Sequence, residues 1–193
     1  MKNQWDSFNK LDKFYDVDSL RLIRKFIIEN AISVFEGACG NGYLIYSLRK
    51  DGYKGKYLGS DFSDGMLKNS KENNPDEDFV EIDLTQKINL SDNSFDVTVV
   101  DDGIYYILDY QPVIEELKRI TKKYIILTYE SDFYDGKDDF VIPGGTSYKY
   151  NKDKFYNFVD NIGLKIIKHS LMNEVDTNNL KTYQKVIVIL EKI

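Results

Sequence analysis

The sequence is poor in cysteine, histidine and proline, with one, one and three of them among 193 residues. Because Cys39 has no second cysteine to pair with, no disulfide can form within the chain, which is typical of proteins in a reducing compartment. No apolar run approaches the roughly 20 residues that a membrane helix needs. The polar start, residues 1–6, also lacks the apolar stretch of a secretory signal. We therefore expect a cytoplasmic protein with no membrane association.

The sequence also lacks an excess of basic residues. Its net charge is −6 at neutral pH, and its pI is about 4.9. Proteins that bind nucleic acids usually present a basic face, because binding releases counterions from the phosphates. The charge therefore argues against DNA or RNA as a ligand and favours a small molecule, and we expect a monomer or a homodimer. The aromatic content of 14% fits either core positions or a pocket for a small planar or cationic ligand.

Apolar periodicity predicts alternating helices and strands, beginning with a helix over residues 18–30. The predicted strands are 31–36, 56–61, 79–82, 95–101, 124–129, 164–171 and 183–190. The first five are near-continuous apolar runs with helices between most of them, which is typical of parallel strands covered on both faces. The last two have no helix between them, so we expect them to pair antiparallel.

The sequence thus predicts an α/β fold in one domain, residues 1–193, with an N-terminal helical cap (residues 1–30) on a core (residues 31–193). The core is expected to be a seven-stranded, mostly parallel sheet with helices on both faces and an antiparallel C-terminal hairpin. Two segments are expected to cover a site: the aromatic stretch before the first helix, and the long connection at 131–150. The acidic residues of that connection match no metal-binding loop, and we expect no metal.

A glycine-rich turn, residues 36–42, follows the first predicted strand and precedes a helix. Such a turn brings backbone close to a ligand, at the strand edge where doubly wound sheets bind theirs. A dinucleotide site needs glycines at positions i, i+2 and i+5, but counting from Gly40 puts Ile45 at the last position, and counting from Gly37 puts Cys39 at the second. The turn also lacks the Gly-Lys-Ser/Thr of a phosphate-binding loop. An acidic strand end, Glu36, suits a cationic amino acid group better than a phosphate.

Acidic residues also end the next two predicted strands. Asp61 can accept both hydroxyls of a ribose that lies over the glycine turn, and Asp83 can accept from an adenine amino group. Ser63 is expected to cap a helix, whose Met66 can lie along a purine. Each feature alone also fits a structural role, as a capping or turn residue.

These ordered motifs resemble those of the class I S-adenosylmethionine-dependent methyltransferases of the small-molecule type. Residues 36–42 resemble the family's first motif, 57–67 its second, 83–84 its third, and 94–102 its fourth strand. The resemblance covers residues 30–130 by motif and the rest by strand order. It implies a Rossmann-like fold and S-adenosyl-L-methionine as cofactor.

The resemblance also implies a set of cofactor-binding positions, with Asp101 contributing its backbone carbonyl. They are Glu36, Gly37, Ala38, Gly40, Gly42, Asp61, Phe62, Met66, Asp83, Leu84 and Asp101. The family usually has glycine where Ala38 stands, so the turn must tolerate a methyl group, and the neighbouring Gly37 is the residue expected to compensate.

Methyl transfer from a sulfonium is a direct displacement with a good leaving group, so positioning is the enzyme's main task. The catalytic residues are left open, with Asp102, Tyr105, Tyr106 and Tyr129 as candidates near the methyl site. The two adjacent tyrosines stand where the family often has a polar or histidine pair, which argues against histidine chemistry there. The expected function is methyl transfer to a small-molecule nitrogen or oxygen acceptor. One alternative is a non-catalytic binding module of the same fold. Another is a nicotinamide oxidoreductase, which the spacing of the glycines disfavours.

Overall fold

A computed structural model of the chain describes residues 17–129, 140–141, 147–176 and 181–193. The helices are Asp18–Asn30 (α1), Tyr43–Lys50 (α2), Asp64–Asn73 (α3), Tyr110–Ile120 (α4) and Lys152–Asn161 (α5). The strands are Ser33–Gly37 (β1), Lys56–Asp61 (β2), Asp78–Glu81 (β3), Phe95–Val100 (β4), Thr121–Tyr129 (β5), Phe140–Val141 (β6), Tyr148–Lys149 (β7), Leu164–Asp176 (β8) and Lys181–Lys192 (β9). None of the helices in these ranges is long and apolar enough to cross a membrane.

Seven of the strands form one sheet in the order β3-β2-β1-β4-β5-β9-β8. The pairs among β1 to β5 are parallel, whereas β9 runs antiparallel to both β5 and β8. The predicted fold, including the C-terminal hairpin, is therefore confirmed. The short antiparallel pair β6–β7 was not predicted, and it lies within the connection at 131–150, most of which falls outside the described residues.

Local sequence signals place the ends of the helices where the structure has them. The helix predicted over 18–30 is α1 with the same bounds. The Ser63 hydroxyl accepts a hydrogen bond from the Met66 backbone N–H at 3.3 Å and so caps α3. Gly163, just after α5, has the left-handed φ of 72° that ends a helix without a Cβ clash.

The core consists of two hydrophobic clusters, one on each face of the sheet, because strand side chains alternate between faces. In β9, Val186, Val188 and Leu190 pack into the cluster that includes residues of α4 and α5. Ile187 and Ile189 point to the other face, into the cluster that includes residues of α1 and α2. Both clusters are buried, so the sheet position of each strand is fixed by apolar packing on two sides.

The order of strands reverses beside β1, since β1 has β2 on one side and β4 on the other. In open α/β sheets, ligands bind outside the carboxyl ends of the strands at such a reversal point. The carboxyl end of β1 carries the glycine turn, and the carboxyl end of β4 carries Asp101 and Asp102. The fold therefore brings these two segments together at the expected place for a ligand.

Candidate active site

The glycine turn after β1 has a left-handed backbone at three positions: φ is 54° at Ala38, 55° at Gly40 and 78° at Gly42. The Cys39 N–H donates to the Ser60 carbonyl at 2.8 Å, which ties the turn to β2. Among the described residues, no atom lies within 4 Å of the position that a Cβ of Gly40 would occupy. The turn thus presents bare backbone at Gly40 toward space that these residues leave open, whereas a Cβ on Gly42 would stand 2.5 Å from Asn74.

Ala38 takes the left-handed conformation that glycine usually supplies, and its methyl group is accommodated by Gly103. A Cβ on Gly103 would stand 2.7 Å from the Ala38 Cβ, closer than carbon atoms can approach. The expectation that Gly37 compensates is wrong, because its missing side chain leaves room for Leu84, which would lie 2.9 Å from a Cβ there. The compensating glycine therefore lies 65 positions along the chain, at the end of β4.

The Glu36 side chain lies beneath the turn rather than at its surface. It is buried, and it accepts a hydrogen bond from the Tyr57 hydroxyl. Burial raises the pKa of Glu36 to about 8, with the Tyr57 bond opposing that rise and the charges of Asp101 and Asp61 adding to it. At neutral pH this carboxyl is therefore mostly protonated, so it gives less negative charge than the sequence suggests.

Asp61 joins the glycine turn to the start of α3. Its carboxylate accepts from the Gly40 N–H at 3.0 Å and from the Ser63 N–H at 2.9 Å. Burial raises its pKa, and these backbone donors oppose the rise. The next residue, Phe62, is half-buried, and Met66 is buried one turn into the helix. Asp61 thus lies between the glycine turn and α3, beside Gly40, and the ribose site predicted from the sequence stays a prediction.

Asp83 and Leu84 follow β3 and differ in their surroundings. The exposed Asp83 carboxylate accepts from the Thr85 N–H at 2.9 Å and from the Thr85 hydroxyl at 2.7 Å, as expected for a turn aspartate. Leu84 is buried against Gly37. The structure therefore brings Leu84 under the glycine turn and holds Asp83 in a local turn beside it.

The end of β4 carries an ion-pair cluster that the sequence analysis missed in part. The Lys185 ammonium lies 2.9 Å from the Asp101 carboxylate and 2.8 Å from that of Asp102. Thr128 of β5 donates its hydroxyl to Asp101 at 2.7 Å and accepts from the Asp102 N–H at 2.7 Å. Lys185 was not predicted as a site residue, because a lysine in a strand gives no signal of which neighbours its register will bring.

The three tyrosines named as candidates have different positions. Tyr105 and Tyr106 lie in a short 3₁₀ turn after β4, with ring centroids 4.5 Å apart. Tyr129 packs in an aromatic cluster with Tyr150 and Phe155, at centroid distances of 5.8 and 6.0 Å. Its partner in β9, Val186, belongs to the same cluster, so Tyr129 lies on the opposite sheet face from Lys185. Tyr129 is therefore a core residue rather than a member of the charged site.

The arrangement fits an adenosyl sulfonium cofactor. Bare backbone at Gly40 leaves room for a ligand, and the Asp61 carboxylate lies at one side of that space. Asp101 and Asp102, at the end of the adjacent strand, carry two negative charges against the single charge of Lys185. A negative environment of this kind suits a cofactor with positive sulfonium and ammonium groups, whereas phosphates would be repelled.

Comparison with known proteins agrees with this geometry. Residues 35–127 match the family model described as "Methyltransferase domain". A demethylmenaquinone methyltransferase of Oceanobacillus iheyensis is 28% identical over 127 residues, which are 62% of this chain and 53% of that protein. One of Paenarthrobacter aurescens is 40% identical over 62 residues, which are 32% and 24% of the two chains. The aligned part thus spans about half the length of the first relative.

Solved structures show the same fold. Magnesium protoporphyrin IX methyltransferase from Synechocystis PCC 6803, crystallised with S-adenosylmethionine, aligns with a TM-score of 0.72 and 14% identity over 100% of this chain and 95% of its own. A methyltransferase from Aquifex aeolicus aligns with a TM-score of 0.64 and 19% identity, over 97% and 95% of the two chains. The motifs, the geometry and the family model thus identify a methyltransferase domain in residues 35–127, and the chain has the fold of the S-adenosylmethionine-binding enzyme from Synechocystis.

Proposed function

We propose that the protein transfers the methyl group of S-adenosylmethionine to a nitrogen or oxygen atom of a small molecule by direct in-line displacement. The observation that carries this proposal is the meeting of the open glycine turn with the end of β4 at the reversal point of the sheet. The cofactor supplies an activated methyl group on a positively charged sulfur.

Each sequence-predicted cofactor residue has a proposed place around this space. Asp61 would bind the ribose hydroxyls by using carboxylate lone pairs that the Gly40 and Ser63 N–H groups leave free. Asp83 would accept a hydrogen bond from the adenine amino group. The remaining positions would contribute backbone or apolar contacts beside the turn. They are Glu36, Gly37, Ala38, Gly40, Gly42, Phe62, Met66, Leu84 and Asp101.

The contribution of the protein to the reaction is mainly positional. Holding two reacting groups in line can supply about 7–11 kcal/mol of a barrier. The elements around the site suit that task, because β1 and β4 are packed on both faces by the two core clusters. The Ala38–Gly103 contact fixes the distance between the glycine turn and the end of β4.

The acceptor that we propose is a small planar molecule. The relatives' names mention demethylmenaquinone and magnesium protoporphyrin IX, both of which are ring systems. The tyrosine pair after β4, with the Tyr106 ring half-buried beside that of Tyr105, offers aromatic surface next to the charged cluster. The acidic protein and its acidic site argue against nucleic acid as the acceptor.

We also propose that residues 1–30 form a cap on the core and that the whole chain is one domain. The described part of that cap, α1, is anchored over the C-terminal hairpin, since the Ser19 N–H donates to the Glu174 carboxylate at 2.8 Å. A monomer or a homodimer fits this organisation.

The first test is titration calorimetry with S-adenosylhomocysteine and S-adenosylmethionine. We expect saturable binding of both, with NADH and ATP as the control ligands. The second test is transfer of a radiolabelled methyl group to a panel that contains a short-chain demethylmenaquinone in its reduced hydroquinone form, simple phenols and aromatic amines. Absence of binding at millimolar cofactor would contradict the proposal and favour a binding module without catalysis.

A further inference from the structure

We propose that Asp102 removes the acceptor's proton during methyl transfer and that Lys185 is the positioning residue that holds it for this task. The inference rests on the proposed function, and it narrows the acceptor to a hydroxyl or a neutral amine, whose O–H or N–H proton is lost as the atom is methylated. Neither role follows from the resemblance to the family, and Lys185 lies outside the residues matched by the family model.

The backbone fixes Asp102 beside the glycine turn. Its neighbour Gly103 packs directly against Ala38, at the distance where a Cβ would clash. Asp102 itself has a left-handed φ of 54°, which is uncommon outside glycine and needs support from its surroundings. That support includes its N–H, which donates to the Thr128 hydroxyl at 2.7 Å.

The hydrogen bonds leave one oxygen of Asp102 available. Oδ2 accepts from the Lys185 ammonium at 2.8 Å. Oδ1 lies 3.3 Å from the Thr128 hydroxyl, but that hydroxyl has a single proton and lies closer to Asp101, at 2.7 Å. Among the residues that the structure describes, the only donor to Oδ1 is therefore this long bond from a hydroxyl that it shares with Asp101. Oδ1 can accept a proton from a bound acceptor.

Exposure distinguishes Asp102 from Asp101. The Asp102 side chain keeps 48% of its surface accessible, whereas that of Asp101 keeps 15%. Oδ1 of Asp101 also receives both the Thr128 hydroxyl and the Lys185 ammonium. Asp101 is thus occupied with the protein itself, and Asp102 is the carboxylate that a small molecule can reach.

The groups around Asp102 come from three segments. Asp101 lies beside it just after β4, Lys185 and Tyr183 face it from β9, and Thr128 faces it from β5. Although the side chain is reached by solvent on one side, the surrounding protein desolvates it and, with Asp101, raises the pKa of Asp102 to about 6, while Lys185 and Thr128 oppose the rise. A base in this range is ionised at neutral pH and still accepts a proton well.

The proton and electron balance is simple. A lone pair on the acceptor's oxygen or nitrogen forms the new bond to the methyl carbon. The bond between that carbon and sulfur breaks, and its electron pair stays on sulfur. The proton of the acceptor passes to Oδ1 of Asp102 and from there to water. Lys185 stays protonated, because its two carboxylate partners raise its pKa although burial opposes this.

The decisive measurement follows the aspartate carboxyl carbons by ¹³C NMR as the ligand-free protein is titrated. In Lys185→Met we expect the pKa of Asp102 to rise by at least about one unit, since an opposite charge at this distance is removed. Lys185→Arg should restore most of the shift, and Lys165→Met, which removes an exposed lysine of β8, should leave the pKa unchanged. An unchanged pKa of Asp102 in a folded Lys185→Met protein would overturn the role of Lys185.

A second measurement uses Asp102→Asn, which keeps the shape of the side chain. We expect its affinity for S-adenosylhomocysteine to stay within about threefold and methyl transfer to the responding panel member to fall by at least about 100-fold, as for loss of a general base. In the wild type, transfer should decline below about pH 6, and in Lys185→Met this decline should move to higher pH.

The outcomes separate the two proposals. If the wild type binds no S-adenosylhomocysteine, the proposed function fails. If the cofactor binds and Asp102→Asn keeps its rate within about threefold of the wild type, the role of Asp102 is wrong and the proposed function stands. If the cofactor binds and no panel member is methylated, the proposed acceptor class and the role of Asp102 as its base are both wrong, and the NMR titration still decides whether Lys185 sets the pKa of Asp102.

Discussion

The Ala38 methyl group occupies the space that a side chain on Gly103 would fill, with 2.7 Å between the two Cβ positions. An alanine in a turn where the family usually has glycine is therefore matched by a glycine at the end of β4. The pair explains how the turn keeps its left-handed φ of 54° at Ala38 without pushing the two strand ends apart. It also removes the steric argument for a non-catalytic module.

This pairing predicts that Gly103→Ala destabilises the protein by about 1–3 kcal/mol, as is usual for overpacking. Gly103 has a φ of −115°, which alanine adopts without strain, so the loss of stability comes from the clash with Ala38 alone. Urea unfolding measures the change in the free energy of unfolding. The double variant Ala38→Gly/Gly103→Ala should recover at least half of the loss. If its change in the free energy of unfolding equals the sum of the changes in the two single variants, the pairing is wrong.

Asp61→Asn should weaken the binding of S-adenosylhomocysteine by about tenfold or more, because charged acceptors make stronger hydrogen bonds than neutral ones. Asp76→Asn is the matched control, since this exposed aspartate precedes β3 and is none of the proposed cofactor positions, and we expect a smaller loss. Calorimetry gives both affinities. Equal losses in the two variants would argue against Asp61 as the ribose ligand.

The raised pKa of Glu36 predicts a particular pH dependence of stability. The folded-state pKa is about 8, above the ordinary value of 4.5. The protonated form is therefore favoured by folding, and the stability linked to it is complete below about pH 4.5 and is lost as the pH rises toward 8. Glu36→Gln stays neutral, so relative to the wild type it should gain at least about 1 kcal/mol between pH 5 and pH 8. Urea unfolding measures the free energy of unfolding of both proteins at each pH. If the difference between them is the same at pH 5 and at pH 8, Glu36 is not buried in its uncharged form.

Glu174→Ala should loosen α1 from the hairpin. The Glu174 carboxylate accepts from the Ser19 N–H in the first turn of α1, where a negative charge also favours the helix dipole. We expect a loss of about 1–2 kcal/mol in urea unfolding, with faster hydrogen exchange in α1. Glu72→Ala, which removes one of an exposed pair with Lys68, should cost about 0.5 kcal/mol or less. Similar losses in both variants would show that Glu174 does not anchor the helix.

The order of helices and strands followed from the sequence because it depends on short-range patterns. Apolar periodicity located α1 with its observed bounds, and a serine before an apolar helix located the cap of α3. The spacing of the glycines excluded a dinucleotide site without any knowledge of the fold. Successive acidic strand ends then indicated the cofactor, since parallel strands bring their carboxyl ends to one edge.

Tertiary structure alone decided which distant residues meet. The register between β5 and β9 brings Lys185 to Asp101 and Asp102, more than 80 positions earlier in the chain. A shift of one residue would turn that lysine to the other face of the sheet, and no local pattern sets that register. The same holds for Gly103 opposite Ala38. The amino-acid sequence by itself determined the elements and the cofactor class, whereas packing between residues far apart in the chain determined which charged groups meet beside the glycine turn.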